Sequence, residues 1–208
     1  MRLDMNDRQS SRLPKYTPLG YHKTRVPPWL YEKIMAHHNA VTFPEDYSKE
    51  GWIYDEINVN IWEVDTYIRQ MPQALRDEII EHFRRVLAEW VGLQPDELEY
   101  RSLYGIRRYP HNSILAMHVD RPETHVVSAI VHVARENMHE PWLLEVRGHD
   151  GKVAHYDTEP GSATFYESAT VPHGRPQRMR GDAFFNFFIH FAPVGWEERI
   201  KPLLHDEL

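Results

Sequence analysis

The amino-acid sequence predicts a mainly β domain with flanking α-helices, an antiparallel sandwich or barrel that carries its helices outside. Three observations lead there. One strong 3.6-residue apolar period runs through 73–91, short β-branched and aromatic stretches crowd the chain after residue 98, and no helical period separates those stretches. Helices first and strands later place the helices on the outside of a β-core.

Taken in chain order, residues 1–27 are polar, hold Pro14, Pro18 and Pro27, and lack periodicity, so an extended or disordered arm is expected. Pro27-Pro28 sets up a helix over about 29–38, because proline suits a first helical turn. A second helical stretch is expected over 58–70. The clearest helix spans 73–91, with Leu75, Ile79, Ile80, Phe83, Val86, Leu87, Trp90 and Val91 as its stripe and Gly92 as its stop. Strands are expected at 99–109, 113–119, 125–133, 142–147, 152–157, 162–168 and 183–191. Their breaks are Pro110-His111-Asn112, Arg121-Pro122, Gly148-His149-Asp150-Gly151, Pro160-Gly161 and Gly174-Arg175-Pro176. The 208 residues suffice for one generous domain, here 28–208, with helical support over 28–97, a β-core over 98–192 and a C-terminal segment over 193–208.

Composition narrows the chemistry. A net charge of −7 gives no basic footprint for nucleic acid, although the Arg178–Arg180 cluster suits one small anion. No run approaches the roughly 18 apolar residues of a membrane helix. The absence of cysteine excludes disulfides, thiolate metal sites and cysteine nucleophiles, so any metal must rest on histidine and carboxylate. The first sixteen residues contain no apolar signal region, and a cytoplasmic location is expected. His205-Asp206-Glu207-Leu208 spells an endoplasmic-reticulum retention signal, which makes the lumen the alternative if a signal peptide was removed from a longer precursor.

His118 and Asp120 lie two apart in a predicted strand, where residues i and i+2 face the same side. His173 supplies a third ligand from a distant segment. Two imidazoles and one carboxylate on one face of an octahedron leave positions open for a chelating cosubstrate and O₂ on iron(II). A His-x-Asp tripeptide is weak evidence alone, because roughly one arises by chance in such a chain. His155-Tyr156-Asp157 is a second example. Spacing favours the first, since His118 precedes His173 by enough chain for several strands, whereas His155 is about one hairpin away.

The series Ile106-Arg107-Arg108-Tyr109-Pro110, His118-Val119-Asp120, His125 to Ile130, Pro160-Gly161, Ala163 to Tyr166 and His173-Gly174-Arg175-Pro176 resembles the prolyl 4-hydroxylase-like branch of the 2-oxoglutarate/iron(II) oxygenases. The likeness covers about 99–192. It implies a double-stranded β-helix, or jelly roll, with His118, Asp120 and His173 as iron ligands. It also implies Fe(II), 2-oxoglutarate and O₂ as cofactors, with ascorbate in support, and hydroxylation of a small-molecule or peptide substrate with release of succinate and CO₂. Asp120 as a ligand favours hydroxylation over halogenation, which needs that position for halide. One departure stands out. Such proteins carry Arg or Lys nine or ten residues after the distal histidine to pair with the far carboxylate of 2-oxoglutarate, and here those positions are Asp182 and Ala183. Asp182 would repel the cosubstrate. Arg180 is the expected replacement, with Arg175 next, because a guanidinium pairs with a carboxylate through two parallel hydrogen bonds. Tyr109 matches a tyrosine that binds the same carboxylate. The histidines at 37, 38, 125, 132 and 190 read as structural, with His132 able to line the cosubstrate pocket. Two rivals remain open: a non-catalytic cupin-like binding barrel, and an iron oxygenase with a different cosubstrate.

Overall fold

The computed structural model describes residues 2–50 and 64–204. In chain order its elements are α1 (Arg2–Arg12), β1 (Tyr21–Arg25), α2 (Pro28–Asn39), β2 (Tyr47–Lys49), β3 (Tyr67–Arg69), α3 (Gln73–Val91), β4 (Leu98–Leu103), β5 (Ile106–Pro110) and β6 (Leu115–His118). They continue with β7 (Val127–Glu136), β8 (Leu144–Arg147), β9 (Val153–Tyr156), β10 (Ser162–Tyr166), β11 (His173–Arg175), β12 (Ala183–Pro193) and α4 (Trp196–Leu204). The fold is the expected one, mainly β as a jelly roll with a few helices. The larger sheet runs β1-β10-β7-β12-β5-β3-β2, with β4 also paired to β12; the smaller runs β6-β11-β8-β9.

Side-chain alternation on two strands divides the interior. On β7, Val127, Ala129, Val131 and Val133 share a core with Leu30 and Ile34 of α2 and with Ile79, Phe83 and Leu87 of α3. Phe185, Phe187, Ile189 and Phe191 of β12 join that core. The alternate residues Ile130, Phe184 and Phe188 join a second core with Trp142, Leu144, Val146, Val171 and Met179. The larger sheet therefore lies between the helices and the smaller sheet. β12 is buried along its whole length, as a central strand covered on both faces must be.

α3 spans the expected residues because its stripe meets that first core and its end is chemically marked. Gly92 takes φ 75°, its N–H donates to Glu89 O at 3.2 Å, and the Leu93 N–H donates to Ala88 O at 2.9 Å. These two bonds satisfy carbonyls that the last helical turn leaves open.

Several expectations change. Residues 2–12 form α1 rather than an extended or disordered arm, and Tyr21–Arg25 pairs antiparallel with β10. Of the helix expected at 58–70, residues 58–63 lie outside the described residues, and Tyr67–Arg69 is a strand paired with β2 and β5. The strand expected at 99–109 breaks at Tyr104-Gly105. There Gly105 has φ 102°, and a Cβ on it would come 2.4 Å from Arg69 O, so the chain turns where only glycine fits. His173 opens a short strand, His173–Arg175, where Gly174-Arg175-Pro176 was expected as a break. The C-terminal segment contains α4, whose Trp196 and Ile200 are buried; residues 205–208 lie outside the described residues. Among the described residues no helix is long and apolar enough to cross a membrane.

Candidate metal centre

His118 is the last residue of β6 and His173 the first of β11, and the two are partners across the smaller sheet. That register sets their rings 4.4 Å apart, centroid to centroid. Asp120 lies two residues beyond the end of β6, where its N–H donates to Ser168 O at 2.8 Å. Its Oδ1 is 3.5 Å from His118 Nε2 and 3.8 Å from His173 Nε2. One ligand atom from each of the three residues falls within 4.8 Å of the others.

The tautomers follow from the neighbours. His118 Nδ1 lies 2.8 Å from Ala116 O, and His173 Nδ1 lies 2.9 Å from Val171 O. A carbonyl only accepts, so each Nδ1 carries the proton and donates, and each Nε2 keeps its lone pair for a metal. Burial pushes the His173 imidazolium down to about 4, helped by His118 and opposed by Asp120, so the ring is neutral at neutral pH. Burial would raise the Asp120 carboxyl, but any proton on the imidazoles of His173, His118 or His190 that face it favours the carboxylate and holds it well below the usual range, so Asp120 is the anion of the set. Asp120 Oδ2 is buried without a hydrogen-bond partner among the described residues. An anionic oxygen left in that state is costly. One anionic carboxylate and two neutral imidazoles converging on one point are the donor set of a facial iron(II) site. The residues fit the ion.

The second tripeptide does something else. His155 is half exposed and 3.6 Å from Glu145, while Asp157 pairs with Arg135 at 3.1 Å. The predicted anion anchors separate sharply. Arg180 is exposed and donates to Asn112 Oδ1 at 3.0 Å, on the outer surface. Asp182 also faces out and accepts from Asn137 Nδ2 at 2.6 Å, so it does not oppose an anion inside. Arg175 is 1% exposed and lies two residues after His173 on β11. Its guanidinium donates to Trp142 O and, at 3.1 Å, to Thr158 Oγ1, and stacks over Phe184 at 4.6 Å. No carboxylate among the described residues pairs with it. Burial lowers it to about 10, so it remains a cation. Arg107, also buried, is already matched by Glu50 at 2.6 Å. Tyr109 lies beside both arginines: its hydroxyl is 3.3 Å from Arg107 Nη1 and its ring packs on Trp142, over which Arg175 also lies.

The sequence reads His125, His132 and His190 as structural, with His132 also able to line the cosubstrate pocket. His190 instead lies beside the ligands, with Nδ1 3.7 Å from Asp120 Oδ2 and 2.8 Å from Ser128 Oγ, and its ring rests 3.9 Å from that of His125. The alternation of 184, 186, 188 and 190 on β12 is the signal that could have found it. His132 stacks on Phe184 at 4.1 Å, and so lines the same interior as Arg175. Two surface grooves lie elsewhere, one beside Tyr16 and Arg199, the other beside His22, His82 and Phe165. Donor chemistry, rather than surface concavity, locates this centre.

No protein-family model matches the chain, and no curated protein matches it. Solved structures do. A Pseudomonas putida prolyl-4-hydroxylase superposes with a TM-score of 0.57 at 14% identity, over 91% of this chain and 99% of that one. A Trichoplax adhaerens prolyl hydroxylase, in complex with a hypoxia inducible factor peptide fragment, gives 0.57 at 11%, over 95% and 94%. HygX from Streptomyces hygroscopicus, with nickel and 2-oxoglutarate bound, gives 0.59 at 10%, over 85% and 84%. At these identities the likeness establishes the fold.

Proposed function

We propose that the chain is an iron(II)- and 2-oxoglutarate-dependent oxygenase that hydroxylates an unactivated C–H bond of a peptidyl or free amino-acid-like substrate. The observation that carries this is the converging set of His118 Nε2, His173 Nε2 and Asp120, with both imidazoles locked in the metal-binding tautomer. Bound there, iron(II) and 2-oxoglutarate supply oxidative decarboxylation to succinate and CO₂ coupled to hydroxylation by O₂. The chain's own residues do the rest. His118 and His173 would hold the iron through their Nε2 atoms and Asp120 through a carboxylate oxygen. Arg175 takes the far carboxylate: positions i and i+2 of a strand face one side about 6–7 Å apart, a span suited to a five-carbon diacid anchored at both ends. Tyr109 borders the same end. Trp142, Phe184, Phe188 and Val146 form an apolar wall that limits water access. The named neighbours, which include prolyl hydroxylases and a protein holding 2-oxoglutarate, support this choice of cosubstrate and substrate class.

Anaerobic addition of Fe(II) and then 2-oxoglutarate should develop the visible charge-transfer band of the iron–keto-acid chelate. Admission of O₂ should then release succinate. A protein that binds iron but gives neither band nor succinate would support a second reading, an iron oxygenase with another cosubstrate, which the missing Arg or Lys at 182 and 183 favours. Failure to bind iron at all would defeat both.

A further inference from the structure

We infer that Gln9 is a positioning residue of the metal centre: its side-chain amide clamps together the two backbone segments that carry Asp120 and lead to His173. The inference rests on the metal reading of those ligands. Gln9 lies on α1, in the stretch whose composition suggested an unstructured arm. Its Nε2 donates to Asp120 O at 2.8 Å and to Ala169 O at 2.9 Å. Both partners are carbonyls, so the amide must present its NH₂ to them, and its two hydrogens serve the two acceptors at once.

Asp120 is thereby fixed on both sides of its Cα. Its N–H is held by Ser168 O at 2.8 Å, and its carbonyl by Gln9. The other half of the clamp grips the approach to His173. Beside Ala169, Ser10 Oγ donates to Thr170 O, and the N–H groups of Tyr16 and Thr17 donate to the Glu167 carboxylate at 2.8 and 2.7 Å. Asp7 pairs with Arg147, whose own N–H donates to Pro172 O at 2.8 Å. Residues 9, 10, 16 and 17 thus hold the segment before His173 at Glu167, Ala169 and Thr170. Of the contacts named here, those of Gln9 join this segment to the Asp120 backbone as well. The carboxylate of aspartate sits on a short stem, so its oxygens follow its backbone. Metal–ligand distances tolerate shifts of only about 0.2 Å, and a clamp at the Asp120 carbonyl therefore acts on affinity.

Manganese(II), stable in air, is the probe, titrated by calorimetry into the full chain and its variants at neutral pH. Gln9→Glu keeps the shape but turns oxygens toward two carbonyls. The clamp predicts binding weaker by about 10-fold or more, the range typical when a residue supporting a ligand is lost. The new negative charge acts in the opposite sense, since it would draw the cation in. Gln9→Ala, without that charge, should weaken binding similarly and carries the test if the Glu variant does not fold. Melting curves of the metal-free proteins establish that each variant is folded at the titration temperature. Affinity equal to or tighter than wild type in folded Gln9→Glu or Gln9→Ala overturns the clamp, even if the melting temperature falls, because a purely structural role would give that result. His118→Ala separates this failure from the other one. If wild type takes up no manganese, or His118→Ala binds as tightly as wild type, the metal reading itself is wrong.

Discussion

A fully buried guanidinium with no carboxylate partner among the described residues is expensive to keep, because desolvation must be offset by something. Arg175 is such a group, held by one carbonyl, one hydroxyl and the faces of Trp142 and Phe184. A dicarboxylate cosubstrate would complete it. Arg175→Ala should weaken 2-oxoglutarate binding by about 2–5 kcal/mol, ~30-fold or more, while iron affinity changes little. Arg175→Lys should recover part of the loss, since an ammonium lacks the planar fork. Arg180→Ala and Asp182→Ala should leave binding nearly unchanged, because both side chains face solvent. The charge-transfer band, titrated under nitrogen, measures all four affinities without a substrate. A large effect at Arg180 with none at Arg175 would move the anchor to the exposed loop.

The small strand β11 does more for the site than its three residues suggest. It lies between β6 and β8, and sets His173 opposite His118 while pointing Arg175 inward. Gly174 permits this. A Cβ there would come 2.8 Å from both Ala116 O and Leu115 O, backbone atoms of β6 that have little room to move. Gly174→Ala should therefore push β11 away from β6, cost about 1–3 kcal/mol of stability and weaken manganese binding. Gly92→Ala is the contrast. Its positive φ costs about 1–2 kcal/mol, yet nothing lies within 4 Å of the added methyl. It should lower the melting temperature and leave metal affinity intact. Equal manganese affinity in both variants would show that β11 tolerates the displacement.

At the scale of the whole molecule, a site assembled from the end of β6, the loop after it and β11 exists only in the folded chain. A metal bound there would stabilise folding by linkage. Manganese at about 100 times its dissociation constant should contribute about 2.7 kcal/mol, or a rise of very roughly 5–10 °C in melting temperature for a chain of this size. His118→Ala should show no such rise in a thermal scan. Acid acts the other way. Burial, and next the Arg175 cation, push His132 down to about 3, against the pull of the Thr158 and Ala134 carbonyls. The unfolded chain therefore binds this proton first, near the ordinary histidine value of about 6.5. Stability from this group is complete above that value and is lost as pH falls toward 3, by up to about 2 kcal/mol between pH 7 and 5. Denaturant titrations at those two pH values should show a smaller loss for His132→Gln than for wild type; an equal loss would assign the acid sensitivity to other groups.

Much of this architecture was legible without coordinates, because local chemistry writes it directly into the chain. The apolar period of 73–91 and its glycine stop defined α3, the turn residues divided most of the later strands, and the lack of cysteine reduced metal chemistry to histidine and carboxylate. His118, Asp120 and His173 could be chosen over His155 and Asp157 by spacing alone, yet only strand pairing shows that the first set converges and the second does not. The choice between Arg175 and Arg180 also lay beyond the sequence. Both follow His173 within a few residues, and what separates them is whether the backbone remains in β11 or has left it for the surface. The N-terminal stretch was misread for a related reason. Its weak periodicity and prolines describe a segment with little intrinsic preference, and α1 and β1 are held by partners more than a hundred residues away. Local propensity and covalent identity are properties of the sequence by itself. Which side chains share a buried point depends on register and packing between distant segments, and only the folded structure fixes those.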